Sequence, residues 1–458
     1  MLLVCPAAAG ASVSVRHGKG YGARIFPDNA FLVRDKRQLT GHRVSFRRGR
    51  DYPVVAGKVR KRCTSATYSI CDGFAQLNKL DGFDLQPRVA VPFTGTVRLA
   101  SVNDKNFFIS TRRGKFVSGL RQLTWDPQTR QLAGISDKFL KERTTYAIHV
   151  TRGIRDSRGK PVKACRRSCV VRFTTRSASG ELLRLRGALD AAAPQKLTFT
   201  QDGKDDVFLA ATVAPSLVGS SGGIVRNDQV KADPSAGGAF EASAVPNLIA
   251  PGSAGYFAFG SFLSPRYQFA SAGGHQDNPY GKGDGHTDAE IPPVPTRQTP
   301  KVLGMDRLGV IAVTPDPHAF PPPWPVAVYG PGFTRSKYDI FVSADNNASH
   351  GILTIATDPS GHAYGPKSTT TVTAAGVPTT FLSYGRGRDL DGDGKIGDGL
   401  NDGVRPTGHL QADGKTTLPS RKPVDGLQSG LVQTVVDNMA LGRSLASGLD
   451  IPGVGSGL

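Results

Sequence analysis

With 458 residues, 38% hydrophobic and 21% charged, the chain has a globular composition and is too long for a single core. Its 55 glycines and 32 prolines favour turns and short strands over long helices, and no run of about 20 apolar residues offers a membrane-spanning helix. The net charge of +20 sits entirely at one end: residues 1–176 hold 35 Lys+Arg against 11 Asp+Glu, a net of +24, while the remainder nets −4.

This asymmetry predicts a domain boundary near Arg176 and a basic first part suited to an anionic partner. Candidates are a cell-wall polymer, a polysaccharide or a lipid head-group layer; the competing reading is a solvated, Arg-rich surface. Nucleic acid is disfavoured, because the basic residues are scattered through a strand pattern with no aromatic stacking motif among them.

Residues 1–25 read as a residual signal peptide and N-terminal segment. Leu2-Leu3-Val4 is apolar, and Ala7-Ala8-Ala9-Gly10-Ala11 offers small residues for a cleavage site, so the chain is expected to be secreted or attached to the envelope. Four cysteines form two local pairs, Cys63 with Cys71 and Cys165 with Cys169, each able to close a small disulfide loop in an oxidising compartment. A zinc site is the alternative, although C-x7-C and C-x3-C match zinc ribbons poorly.

Residues 26–176 read as short strands. Thr145–Val150 alternates with period two, Val170, Val171 and Phe173 form another run, and Asp126-Pro127, Gly153 and Gly159 supply turns. The segment Tyr146–Arg176 resembles bacterial immunoglobulin-like domains of surface and secreted proteins. Leu80–Arg88 resembles the N-terminal region of a family of large secreted lipase-like bacterial proteins. The resemblance implies a β-sandwich here.

Residues 177–295 read as a mixed connector. Leu182, Leu185 and Leu189 lie along one side of an expected short helix, and Gly255–Gly260 is an apolar strand. His275 and His286 fall in a polar, Gly-rich loop, where solvated histidines are the ordinary case. The one G-x-S-x-G match, around Ser221, lies in a Gly/Ser-rich loop.

Residues 296–458 alternate apolar runs with helix-length segments: Val310–Val313, Val326–Tyr329 and Ile352–Ala356 predict strands buried on both faces. The segments Val326–Phe333 and Ser349–His362 resemble the early part of α/β-hydrolases, which makes these residues the expected N-terminal half of such a domain. The resemblance implies an oxyanion-type turn at Gly330, Gly332 and Phe333, where glycines let backbone N–H groups approach a developing negative oxygen. Pro331 stands where the family has His and has no N–H to give. The Ser221 match lies upstream of this turn, whereas the family places its nucleophile downstream. Gln433–Met439 resembles the helix leading to that nucleophile, which, with its acid and His, would then fall beyond Leu458.

Asp389-Leu390-Asp391-Gly392-Asp393-Gly394-Lys395 follows the first half of a Ca²⁺ loop. Asp389, Asp391 and Asp393 are candidate ligands and Lys395 supplies its carbonyl; Leu400 stands where the pattern has Glu, so Asp398, Asp402 or water is left to close the shell; the alternative is an unmetallated acidic turn. Two functions follow from the sequence. One is a secreted esterase- or lipase-like serine hydrolase, incomplete in this chain, acting on an ester or lipid. The other is a non-catalytic, calcium-stabilised surface-binding protein that adheres through its basic Ig-like domain.

Overall fold

Strand content dominates the chain, as its turn-rich composition requires. The structure is a computed structural model that describes residues 12–55, 58–64, 67–163, 165, 168–216, 222–250, 252–268, 290–389, 394–397, 408–410, 417–419 and 423–456. The chain divides into two compact units: Met1–Glu181 with Val294–Thr299, and Leu182–Pro293 with Pro300–Leu458.

Among its described residues the first unit carries one α-helix, α1 (Tyr68–Leu77), and six longer strands: β1 (Arg88–Pro92), β2 (Phe107–Thr111), β3 (Phe116–Asp126), β4 (Gln131–Ser136), β5 (Thr145–Thr151) and β6 (Ser168–Thr174). They form one antiparallel sheet in the order β6-β5-β2-β3-β4-β1. The period-two pattern decides which face enters the core: Val89, Val91, Phe107, Ile109, Leu132, Ile148, Val150 and Phe173 all join one cluster, while alternate positions such as Arg88, Phe108 and His149 stay at least partly exposed. In β3 the pairing with β4 slips between Arg121 and Thr124, and Gln122 takes a left-handed φ of 50°. That bulge lets one long strand serve both halves of the sheet.

Five rings, Tyr21, Phe26, Phe31, Phe46 and Phe74 of α1, pack edge-on or tilted against one another, with neighbouring centroids 5.0–6.4 Å apart. The Cys63–Cys71 disulfide ties the helix to the loop before it. Gly82 is required where Phe83 and Thr174 exchange a 2.9 Å backbone bond: a Cβ there would lie 2.8 Å from Thr174 O and Arg176 N.

The second unit begins with α2 (Gly180–Ala191) and continues through β7 (Val207–Leu209), β8 (Ile224–Gln229), β9 (Phe240–Ala244), β10 (Tyr256–Arg266), β11 (Gly304–Val313), β12 (Val326–Tyr329), α3 (Ala344–Ala348), β13 (Leu353–Thr357), β14 (Thr369–Ala374), β15 (Val377–Leu382) and α4 (Pro423–Ala446). A five-stranded sheet runs β7-β10-β11-β13-β12, and a four-stranded antiparallel sheet runs β9-β8-β14-β15. The larger sheet is a middle layer. Ala258, Val310, Ala312, Leu353 and Ile355 pack on one face against Leu185 and Leu189 of α2 and Val436, Ala440 and Leu441 of α4. Phe257, Phe259, Ile311 and Val313 pack on the other face against Ile340, Phe341 and Ala348, and against Val372 and Phe381 of the smaller sheet. Burial on both faces explains why these strands read as continuous apolar runs.

The expected α/β-hydrolase half-domain is not supported. Three of the four pairings in the larger sheet are antiparallel, and only β12 with β13 is parallel. Between β12 and β13 lie a six-residue 3₁₀ segment, Lys337–Val342, and the five-residue α3; β13 is followed by the β14–β15 hairpin. Apolar runs report burial, not strand direction, so they could not distinguish this largely antiparallel sheet from a parallel one. The β-rich part of the expectation holds, and the chain is multidomain.

Candidate functional site

The basic character of the first unit has a structural cause. Its acidic side chains are largely spent on local structure. Asp28, Asp35, Asp51, Asp84, Asp104 and Asp137 pair with neighbouring arginines. Buried Asp81 accepts hydrogen bonds from Ser177 N (2.9 Å), Ser177 Oγ (2.6 Å) and Thr296 Oγ1 (3.0 Å). Asp126 and Asp156 accept backbone N–H groups in turns. The side-chain bond from Thr129 is the main reason that the Asp126 carboxyl titrates below its usual range. The exposed cations therefore exceed the carboxylates able to neutralise them.

The outer face of this unit's sheet bears a strip that no single segment of sequence displays. Phe108 on β2 and His149 on β5 are cross-strand partners; their rings stack at 4.6 Å and 2°. Phe116 at the start of β3 lies 5.8 Å from Phe108 and is 51% exposed, and Val170 of β6, paired with His149, is 48% exposed. His149 Nε2 lies 2.8 Å from Ser110 Oγ. Burial lowers the His149 pKa, so the ring is neutral at pH 7 and serves as a flat π surface. Exposed Arg112, Arg113 and Lys115 occupy the β2–β3 turn beside Phe116, and exposed Arg172 follows Val170 by two residues on the same strand. A flat apolar strip edged with cations can hold a polymer whose rings stack and whose anionic groups pair. Alternation along β2 and β5 was the available signal; the pairing register that aligns Phe108 with His149 was not.

In the second unit, Gly330 and Gly332 follow the end of β12. Gly330 has open space where a Cβ would stand, Gly332 O accepts from Arg335 N (3.2 Å), and Phe333 is 48% exposed with its ring 6.0 Å from that of buried His362. Next to this turn lies a cleft of about 300 Å³, lined among others by Arg226, Thr334, Arg335, Ser336, Tyr338 and Tyr364. Its charges are matched in pairs: Arg226 with Asp228 (2.9 Å) and Arg335 with Asp339 (2.8 Å). Arg226 also donates to Ser336 Oγ (3.1 Å) and lies 5.2 Å above the Tyr338 ring. Burial outweighs the Arg226 and Lys337 cations and pushes the Asp228 pKa up to about 6.

Of the expected calcium loop, Asp389 and Lys395 are described; Asp391, Asp393 and Asp398 lie outside the described residues, as do Ser221, His275 and His286. Asp389 Oδ2 accepts from Gly394 N (3.0 Å), Gly394 takes a φ of 83°, and Lys395 bridges antiparallel to Lys231. The structure joins Cys63 to Cys71 and Cys165 to Cys169. Among the described residues, no helix is long and apolar enough to cross a membrane.

No family model matches the chain, and no curated protein matches it. Two solved structures are similar at 11% identity. The S-layer protein rSbsC(31-844) is matched over 69% of this chain and 42% of its own, with a TM-score of 0.18. The surface layer protein SbsC, domains 1-6, is matched over 66% and 39%, with a TM-score of 0.17. The chain thus spans less than half the length of either, and at such TM-scores the overlays specify no common fold. The family expected from sequence, a secreted lipase or esterase of the α/β-hydrolase type, is corrected: no family model or curated protein supports it, and the larger sheet is mostly antiparallel.

Proposed function

We propose that this chain is a non-catalytic protein of the cell envelope that binds an anionic polysaccharide through its basic first unit. The charge partition carries the reading: a net +24 over residues 1–176 against −4 for the rest, with the first unit's carboxylates committed to turns and ion pairs. The exposed strip of Phe116, Phe108, His149 and Val170, edged by arginines, supports a ring-bearing polyanion over a simple one. The two disulfides support an oxidising compartment, and hence an exported protein. Calcium on Asp389, Asp391 and Asp393, with Asp398 and the Lys395 carbonyl, belongs to the same reading as a stabiliser of the second unit. In that case chelation lowers the melting temperature and added Ca²⁺ restores it.

The test is binding of the purified full chain to alginate, a soluble polyuronate, with neutral dextran as the control, across a series of salt concentrations. Alginate should bind with an affinity that falls steeply as salt rises, because counterions compete for the basic face. Phe116→Ala should weaken binding without changing the salt slope, whereas Arg112→Ala with Arg113→Ala should flatten the slope. Equal binding to dextran, or no binding to alginate at low salt, would refute the proposal.

A further inference from the structure

We propose that His17, Cys165 and Cys169 form a metal site that becomes available when the Cys165–Cys169 disulfide is reduced, and that it takes a thiophilic divalent cation of the zinc type. The His17 nitrogen and the two sulfurs all lie within 4.8 Å of one another. His17 Nε2 is 3.0 Å from Cys165 Sγ and 3.7 Å from Cys169 Sγ. Nearly 150 residues separate His17 from the cysteines, yet backbone bonds fix them side by side: Val15 N donates to Lys163 O (3.2 Å), Lys163 N to Val13 O (2.7 Å) and Arg16 N to Pro92 O (2.8 Å). The imidazole is therefore aimed at the sulfurs by the fold.

The donor set suits the cation. Two thiolates and a neutral imidazole balance a 2+ charge, and Cys2His is a zinc ligand set with the fourth position left for water. Cys169 is buried and anchors the site, while His17 and Cys165 are exposed and leave one side open to solvent. Cys165 N donates to Cys169 Sγ (2.9 Å), which helps fix the position of that sulfur.

The chemistry closes without a hidden reactant. Two equivalents of a small thiol reduce the disulfide: the Cys165–Cys169 S–S bond breaks, each cysteine gains a hydrogen, and the thiol leaves as its own disulfide. The cation then displaces one proton from each cysteine and accepts a lone pair from His17 Nε2. The sulfurs cannot be bonded to each other and hold the cation in this way at once, so metal occupancy and disulfide state exclude one another.

The experiment uses the full chain carrying Cys63→Ser and Cys71→Ser, so that only one disulfide is reduced. The protein is reduced with a phosphine, freed of it, and titrated anaerobically with Co²⁺ as the probe, followed by Zn²⁺. The expected result is one equivalent of cobalt bound, with a thiolate-to-metal charge-transfer band that Zn²⁺ removes and that the oxidised protein never shows. His17→Gln should weaken binding by about 10-fold or more while the chain stays folded by circular dichroism. Cys165→Ser should abolish the band. No band in the folded, reduced protein, a band that survives Cys165→Ser with Cys169→Ser, or wild-type affinity in His17→Gln would each overturn the proposal.

Discussion

Lys337 offers the sharpest test of how the second unit is held together. Its side chain is 2% exposed, yet it carries a charge. Nζ donates to Asp358 Oδ2 at 2.5 Å and to Ser383 O at 2.8 Å, while Lys337 N donates to Asp358 Oδ1 at 2.8 Å. One cation thus joins the end of β13 to the end of β15, alongside Gly309 of β11. Lys337→Met keeps the volume but leaves Asp358 buried with only its backbone donor, and should cost about 3–5 kcal/mol. Asp358→Asn leaves the ammonium unpaired and should cost a similar amount. Combined, the two changes remove both charges, so the double variant should be more stable than the sum predicts by roughly 1–3 kcal/mol. Trp324, buried in this unit, reports the transition by fluorescence during urea unfolding once Trp125 is replaced by Phe. Single variants within about 1 kcal/mol of the parent, or strictly additive losses, would show that the pair does not hold the sheet ends together.

Further expectations rest on other parts of the molecule. The Asp206 pKa is pushed up to about 7 by burial, with Asp205 and Asp202 adding repulsion. A carboxyl raised in the folded state is stabilising while protonated, so its contribution is full below the unfolded value of 3.8 and is lost as pH rises through about 7. Asp206→Asn should therefore gain about 4 kcal/mol relative to the parent between pH 4 and pH 8, measured by urea unfolding at each pH; a pH-independent difference would contradict this. Gly309→Ala places a Cβ 2.3 Å from Ser383 O, and the strands must part to admit it, at about 1–3 kcal/mol in chemical denaturation; a neutral effect would mean that β15 is free to move. Phe173→Ala removes a fully buried ring from the first unit's core and should cost about 3–5 kcal/mol, read as a fall in the melting temperature of the transition reported by Trp125.

What was legible in the sequence was the part set by side-chain periodicity. The alternation of Thr145–Val150 marks β5 because Tyr146, Ile148 and Val150 enter the core while Thr145 and His149 on the other face are only partly buried. Leu182, Leu185 and Leu189 mark α2 because helical spacing puts them on one stripe. The charge count separated the basic N-terminal part because it needs no geometry. Strand direction was not legible: Val310–Val313 looks alike in either orientation, since both its faces are covered. Pairing register was not legible either, and that is what brings Phe108 to His149 and His17 to Cys165. Polar first halves also hid length: β11 begins at Gly304, well before its apolar run.

The seating of α4 restricts how the second unit can vary. Asp437, buried on that helix, pairs with Arg386 and accepts from Ser264 Oγ (2.7 Å) and Gln433 Nε2 (2.9 Å). Gln433 in turn accepts from Tyr267 N and donates to Pro265 O, both at 2.9 Å. An apolar stripe alone would tolerate a helix rolled by part of a turn, since one leucine fills space much as another does. These polar groups act like a keyway: a roll or a one-residue slip leaves a carboxylate and an amide stranded in the interior. Insertions or deletions within α4 should therefore be rejected even where its hydrophobic pattern survives, while changes on its outer side at Leu431 and Val435 pass freely.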